Sequence, residues 1–152
     1  MKNDLVIQLF FNGDRQALLE KAGLKKLGLP EDASEEAQVQ RYLSIEAYHK
    51  LRESITEHAN YVDGLGNQST SKGGFAIQIN KRIKQVFNKG VGDIVTEQEI
   101  RTLKSIREAI AIAIENGEQM GKSRKEIKQR VYEIIEEIYN AYMGTDYWRQ
   151  AV

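Results

Sequence analysis

Apolar residues recur three and four positions apart along most of the chain, and that interval predicts helices. The clearest stretch follows Thr96-Glu97-Gln98-Glu99, a capping-box pattern in which Thr96 accepts from the third helical amide and Glu99 reaches back. After it, Ile100, Leu103, Ile106, Ile110, Ala113 and Ile114 share one face, and Asn116-Gly117 is expected to stop the helix. A second box, Ser123-Arg124-Lys125-Glu126, opens a helix whose stripe is Ile127, Val131, Ile134, Ile135, Ile138, Tyr139 and Tyr142, with Gly144 closing it. The short link between the two predicts an antiparallel pair.

Upstream, Ser44 is placed to cap a helix with Ile45, Tyr48, Leu51, Ile55, Ala59 and Val62 inward. A preceding helix begins near Asp32 and covers Val39, Tyr42 and Leu43, and nothing between the two forces a break. Residues 14–27 read as helical, ended by Gly28 and Pro30. Two segments are ambiguous. Leu5–Phe11 is apolar at nearly every position and fits either a buried strand or a short buried helix. Phe75–Ile79 alternates like a strand, but Phe75, Ile79, Ile83, Val86 and Phe87 fit a helix, and the longer template is preferred.

The fold expected from this pattern is all-α, a bundle of about five helices with room for one short N-terminal β-strand. The 152 residues suit a single domain. A hinge at 64–74 would divide an N-terminal helical half (1–63) from a C-terminal one (75–144), because that stretch is rich in glycine and hydroxyl side chains.

Composition narrows the class. The chain has no cysteine, which removes disulfides, thiolate nucleophiles and zinc–thiolate sites and fits a reducing, cytoplasmic setting. No N-terminal segment reads as a signal peptide, and the apolar run Leu5–Phe11 is too short to span a membrane. Two histidines, His49 and His58, are the whole supply of imidazole. Glu46-x-x-His49 has the spacing of half a di-iron site, but no second Glu-x-x-His completes it. Glu53 and Glu57 beside His58, and Glu133, Glu136 and Glu137 after Lys125, Lys128 and Arg130, read as paired, solvated helix faces. We therefore expect no catalytic residues, no metal and no cofactor.

Charge is where the chain becomes informative. It is formally neutral overall, yet between Asp63 and Asp93 it carries Lys72, Lys81, Arg82, Lys84 and Lys89 and no acid. Residues 1–63 hold eight basic and eleven acidic side chains, and 93–152 nine and eleven, so the excess is local. In a helix from 75 to 88, Lys81 and Lys84 lie opposite the apolar side, with Arg82 and Lys89 flanking. The plain reading is a solvated helix; the functional one is a surface for phosphates or an acidic protein. The loop ahead of it is no P-loop, because Lys72 is followed by Gly73 rather than Ser or Thr. Its Gly73-Gly74 amides and Lys72 could still hold an anion, such as a nucleotide in a dimer groove. A helix-turn-helix over Gln16–Leu24 is disfavoured, because Leu19 occupies the position that must be small. The tail brings together Tyr147, Trp148 and Arg149, which either plug a core edge or anchor a protein partner.

Phe75 to Ile138 resembles the C-terminal region of phage-encoded regulators of the Rha and antirepressor type. The residues that carry the resemblance are Asn80-Lys81-Arg82-Ile83, Thr96-Glu97-Gln98-Glu99-Ile100, Asn116-Gly117 and Lys125-Glu126-Ile127. It implies a mobile-element setting, in regulation or host takeover. The function expected is that of a non-catalytic regulatory protein whose basic helix meets nucleic acid or an acidic protein surface. A host-protein antagonist anchored by the aromatic tail and a binder of an anionic nucleotide are the alternatives. Leu5–Phe11 and the tail together suggest a homodimer.

Overall fold

A computed structural model describes residues 29–30, 32–66 and 74–144. Among them are four α-helices and no β-strand: α1 (Glu35–His58), α2 (Gly74–Phe87), α3 (Glu97–Gln119) and α4 (Arg124–Tyr142), with a 3₁₀ turn at Val91–Asp93. The described residues thus form an all-α bundle. The expected helix at 14–27 and the Leu5–Phe11 segment lie outside the described residues. Phe75–Ile79 is helical, as the longer periodicity required.

Cross-links between elements give their directions. Glu36–Arg101, Ser44–Arg107, Ser54–Glu115 and His58–Glu118 climb together, so α1 and α3 run parallel. Gln98 Nε2 donates to the Tyr142 carbonyl at one end of the α3–α4 pair, and Gly117 meets Ile127 at the other, so these two are antiparallel. Phe75 meets Tyr132 and Phe87 meets Tyr139, which sets α2 parallel to α4. α3 is the central helix, packed on α1 and on α4, while α2 lies against α4. One core joins all four, from Ala37 and Leu51 through Phe75, Ile79 and Ile83 to Ile106, Ile110, Ile127 and Ile135.

The starts of three helices follow from their caps. Thr96 accepts from the Glu99 amide and donates to its carboxylate at 2.7 Å, and Ser123 treats Glu126 the same way at 3.1 Å. Ser34, not Ser44, caps α1, accepting from Ala37 N–H at 3.0 Å. Ser44 instead sits in the middle of one long helix, fully buried. Val39, Arg41 and Tyr42 are buried in α1, and the run Ala37, Gln40, Ser44, Ala47, Leu51, Ser54 and His58 is buried along its length. The residues of that run alternate by three and four as a helix–helix seam should, but most are small or polar, and an apolar template passes over them. Val62, expected inward, is 50% exposed beyond the helix end.

Gly117 does not stop α3. The helix continues to Gln119, and a Cβ at Gly117 would stand 2.6 Å from Ile127 Cγ1, so glycine here admits the close approach of α4. The stop is Gly121, at φ +68. Lys122 N–H reaches the Gly117 carbonyl and Gly121 N–H that of Glu118, each at 3.0 Å, the paired bonds of a Schellman end. That turn is tied to the α1–α2 connection by Gly64 N–H donating to the Gly121 carbonyl at 2.9 Å.

Gly117→Ala is expected to lower stability by about 1 kcal/mol, because overpacking against Ile127 outweighs alanine's better helix propensity. In an Ile127→Ala background the loss should shrink or reverse, as a double-mutant cycle by denaturant unfolding would show. An equal loss in both backgrounds would place the clash elsewhere.

Candidate functional site

The helix from the basic segment has the two sides its sequence requires. Phe75, Ile79, Ile83 and Phe87 are buried, and Lys81, Lys84 and Gln85 face solvent. Arg82 lies between, its guanidinium carbon 4.5 Å from the centre of the Tyr132 ring on α4. This cation–π contact places the guanidinium at the α2–α4 seam. Lys128 joins from the other helix, its ammonium 5.5 Å from the centre of the Phe75 ring. Lys125, Lys128 and Tyr132 recur at three and four along α4 and so share the side that faces α2.

None of Lys81, Arg82, Lys84, Lys125 and Lys128 forms a salt bridge among the described residues. Other cations of the surface do. Arg130 bonds Glu137 at 2.9 Å and Glu133 at 3.4 Å on the outer side of α4. Arg101 bonds Glu36 at 2.6 Å and Glu97 at 3.2 Å. Lys89, expected to belong to the basic surface, is instead committed to Glu99 at 2.5 Å. Burial acts to raise the Glu99 carboxyl, but the bonds from Lys89 and Thr96 outweigh it and hold the group below the ordinary carboxylate value. Lys72, Tyr147, Trp148 and Arg149 lie outside the described residues.

The surface therefore differs from the one the basic segment outlined. It keeps Lys81, Arg82 and Lys84, loses Lys89 to an ion pair, and gains Lys125 and Lys128 from α4. Reading Lys125 and Lys128 as partners of the following glutamates missed this. Their spacing to Tyr132 was the available signal, since it turns them away from Glu133 and Glu137.

A separate open cleft of about 520 Å³ lies where the starts of α1 and α3 meet the end of α4, lined by Gln40, Glu97, Gln98, Arg101, Thr102, Lys104, Ser105 and Tyr142. Its cations are compensated, Arg101 as above and Lys104 by Glu108 at 4.0 Å. Among the described residues no group of three or more metal-ligating side chains comes together, and no helix is long and apolar enough to cross a membrane. His49 is exposed.

His58 turns away from Glu53 and Glu57. It is 1% exposed, Nδ1 standing 3.0 Å from Glu118 Oε2, between the Tyr61 and Phe75 rings at 5.3 and 5.5 Å. With Nδ1 donating, Nε2 is a buried acceptor without a donor. Around it, Arg124 donates to the carbonyls of Ala59 and Tyr61, and Tyr61 donates to that of Lys122 at 2.6 Å. These bonds join the end of α1 to the α3–α4 turn.

Comparison with protein-family models, with curated proteins and with solved structures returns no match.

Burial lowers the His58 pKa from its ordinary 6.5; Glu118 opposes the shift, and the Arg124 and Lys128 charges add to it. Around pH 6 the unfolded chain then holds more protons at this position than the folded one, so stability rises with pH there. The contribution is complete above about pH 6.5 and is lost as pH falls through the lower folded value. Denaturant unfolding between about pH 7.5 and 5.5 should show stability falling with acid, and His58→Gln should flatten that slope. The same slope in both proteins would remove His58 as its cause.

Proposed function

We propose that the protein binds nucleic acid through the phosphate backbone, with the α2–α4 seam as its contact surface and no catalytic step. The observation that carries this reading is a set of cations on two adjacent helices that form no salt bridge among the described residues: Lys81, Arg82 and Lys84 from one, Lys125 and Lys128 from the other. In a protein with equal numbers of acidic and basic residues, five cations gathered on one seam are a local field rather than a general attraction. Arg82, held against Tyr132, meets a phosphate with less loss of side-chain freedom than a free arginine would. Lysines around it add point charges whose binding releases condensed counterions.

Among the described residues no recognition helix accompanies the surface, and the contact expected is with backbone, not base edges. Binding then varies little with sequence and strongly with salt. The resemblance of residues 75–138 to phage-encoded regulators supports a regulatory use of such binding, and the absence of cysteine accords with a cytoplasmic setting.

Anisotropy of a labelled DNA duplex, titrated from about 50 to about 200 mM salt, tests the reading. The wild-type protein should show log affinity falling linearly with log salt. Replacing Lys81, Arg82 and Lys84 together by alanine should weaken low-salt binding at least about tenfold and reduce the slope by about 3. Wild-type binding that the triple variant retains in full would refute the reading. So would a protein that ignores DNA and binds poly-glutamate, since the surface would then serve an acidic protein.

A further inference from the structure

Two arginines are buried at the α1–α3 seam, and among the described residues neither forms a salt bridge with a carboxylate. Arg41 is 6% exposed and Arg107 is 7%. Their hydrogen bonds run only to neutral oxygens. Arg41 Nη2 donates to the Ile94 carbonyl. Arg107 Nη1 donates to the Ser44 carbonyl at 3.1 Å and to the Ser44 hydroxyl at 2.9 Å. The Arg107 guanidinium also lies 5.0 Å from the centre of the Tyr48 ring. Arg41 Nε is enclosed and has no acceptor at all.

This arrangement is incomplete as it stands. Buried arginine is normally paired, because removing a guanidinium from water without a counter-charge is strongly unfavourable. A second guanidinium nearby adds repulsion. Both effects act here: burial first, then the Arg41 charge, push Arg107 down to about 10, and burial lowers Arg41 as well. At neutral pH both groups still carry their charge. Their neutral acceptors satisfy geometry but supply no negative charge.

We propose that Arg41 and Arg107, with the Ser44 hydroxyl, form a binding site for a phosphoryl group. A dianionic oxyanion matches the two positive charges, and its tetrahedral oxygens can accept from two guanidinium forks at once. A carboxylate carries half the charge and presents only two oxygens. Arg41 Nε supplies a donor with no acceptor, and Ser44 Oγ, already accepting from Arg107, keeps its own proton for a ligand oxygen. The site lies in the α1–α3 seam and uses none of the residues of the α2–α4 surface.

The test is thermal unfolding of the full chain with inorganic phosphate titrated against chloride at constant ionic strength, and with glycerol phosphate and acetate in parallel. Inorganic phosphate should give a saturable rise in Tm of several degrees, as a ligand binding only the folded state must. Acetate should give none. Arg41→Met and Arg107→Met keep much of the apolar stem; they should melt no lower than wild type without phosphate and lose the response. Arg107→Lys, which keeps the charge but not the fork, should need about tenfold more phosphate. A glycerol phosphate response equal to that of phosphate supports a phosphomonoester ligand, and a response to phosphate alone supports a bare oxyanion. No saturable rise in wild type, or the same rise in the methionine variants, overturns the proposal. Methionine variants that are strongly destabilised while wild type ignores phosphate also overturn it, since the counter-charge would then come from the chain itself.

Discussion

The parallel seam between α1 and α3 is the constraint on which the rest of the bundle depends. Antiparallel neighbours can be joined by short turns, whereas parallel ones need the chain to travel back first. Here the return is made by α2, with the 88–96 connection leading into α3. That route carries α2 away from α1 and lays it against α4. The seam itself is closed by small and polar side chains, Ser44, Ala47 and Ser54 among them, which let polar rungs cross where bulky apolar residues would hold the helices apart. Apolar burial elsewhere in the core supplies the general driving force. The rungs fix direction and register.

From that placement come both chemical features of the protein. Because α2 packs mainly on α4, along the side that carries Lys125, Lys128 and Tyr132, its cations meet lysines there. Lys89, past the helix end, instead reaches Glu99 at the start of α3. On the other side of the molecule, the polar seam encloses Arg41 and Arg107, which an apolar seam would have excluded. A surface with unpaired charge and an interior with unpaired charge thus share one topological origin.

Much of this order was legible in the sequence, and the exceptions are physical. α3 and α4 could be read because strong caps at Thr96 and Ser123 precede stripes of isoleucine. α2 was readable by weight of matches over a strand-like start. In α1 the sequence marks Val39, Tyr42 and Leu51, which are buried, but it puts the cap at Ser44 and passes over the small and polar inward positions, because Ser44 satisfies a cap's chemistry and a seam's need for small residues equally well. Gly117 reads as a stop for a similar reason: glycine ends helices and also lets them approach, and the position of Ile127 separates the two uses. Of the basic surface, the α2 part was visible as a charge excess. The α4 part was not, because Lys125 and Lys128 belong to a segment whose net charge is balanced, and only the docking of Tyr132 against Arg82 brings them to the same side.

The most direct measurement is a titration of the isotopically labelled protein with a short DNA duplex at low salt, followed by amide and arginine Nε–H resonances. Shifts should concentrate in residues 78–85 and 125–132, include the Arg82 side chain, and fade as salt is raised. Shifts centred instead on the cleft between Gln40 and Tyr142, or on Arg41 and Arg107, would contradict the assignment of the α2–α4 seam as the contact surface. Spectra that do not change at low salt would contradict nucleic-acid binding itself.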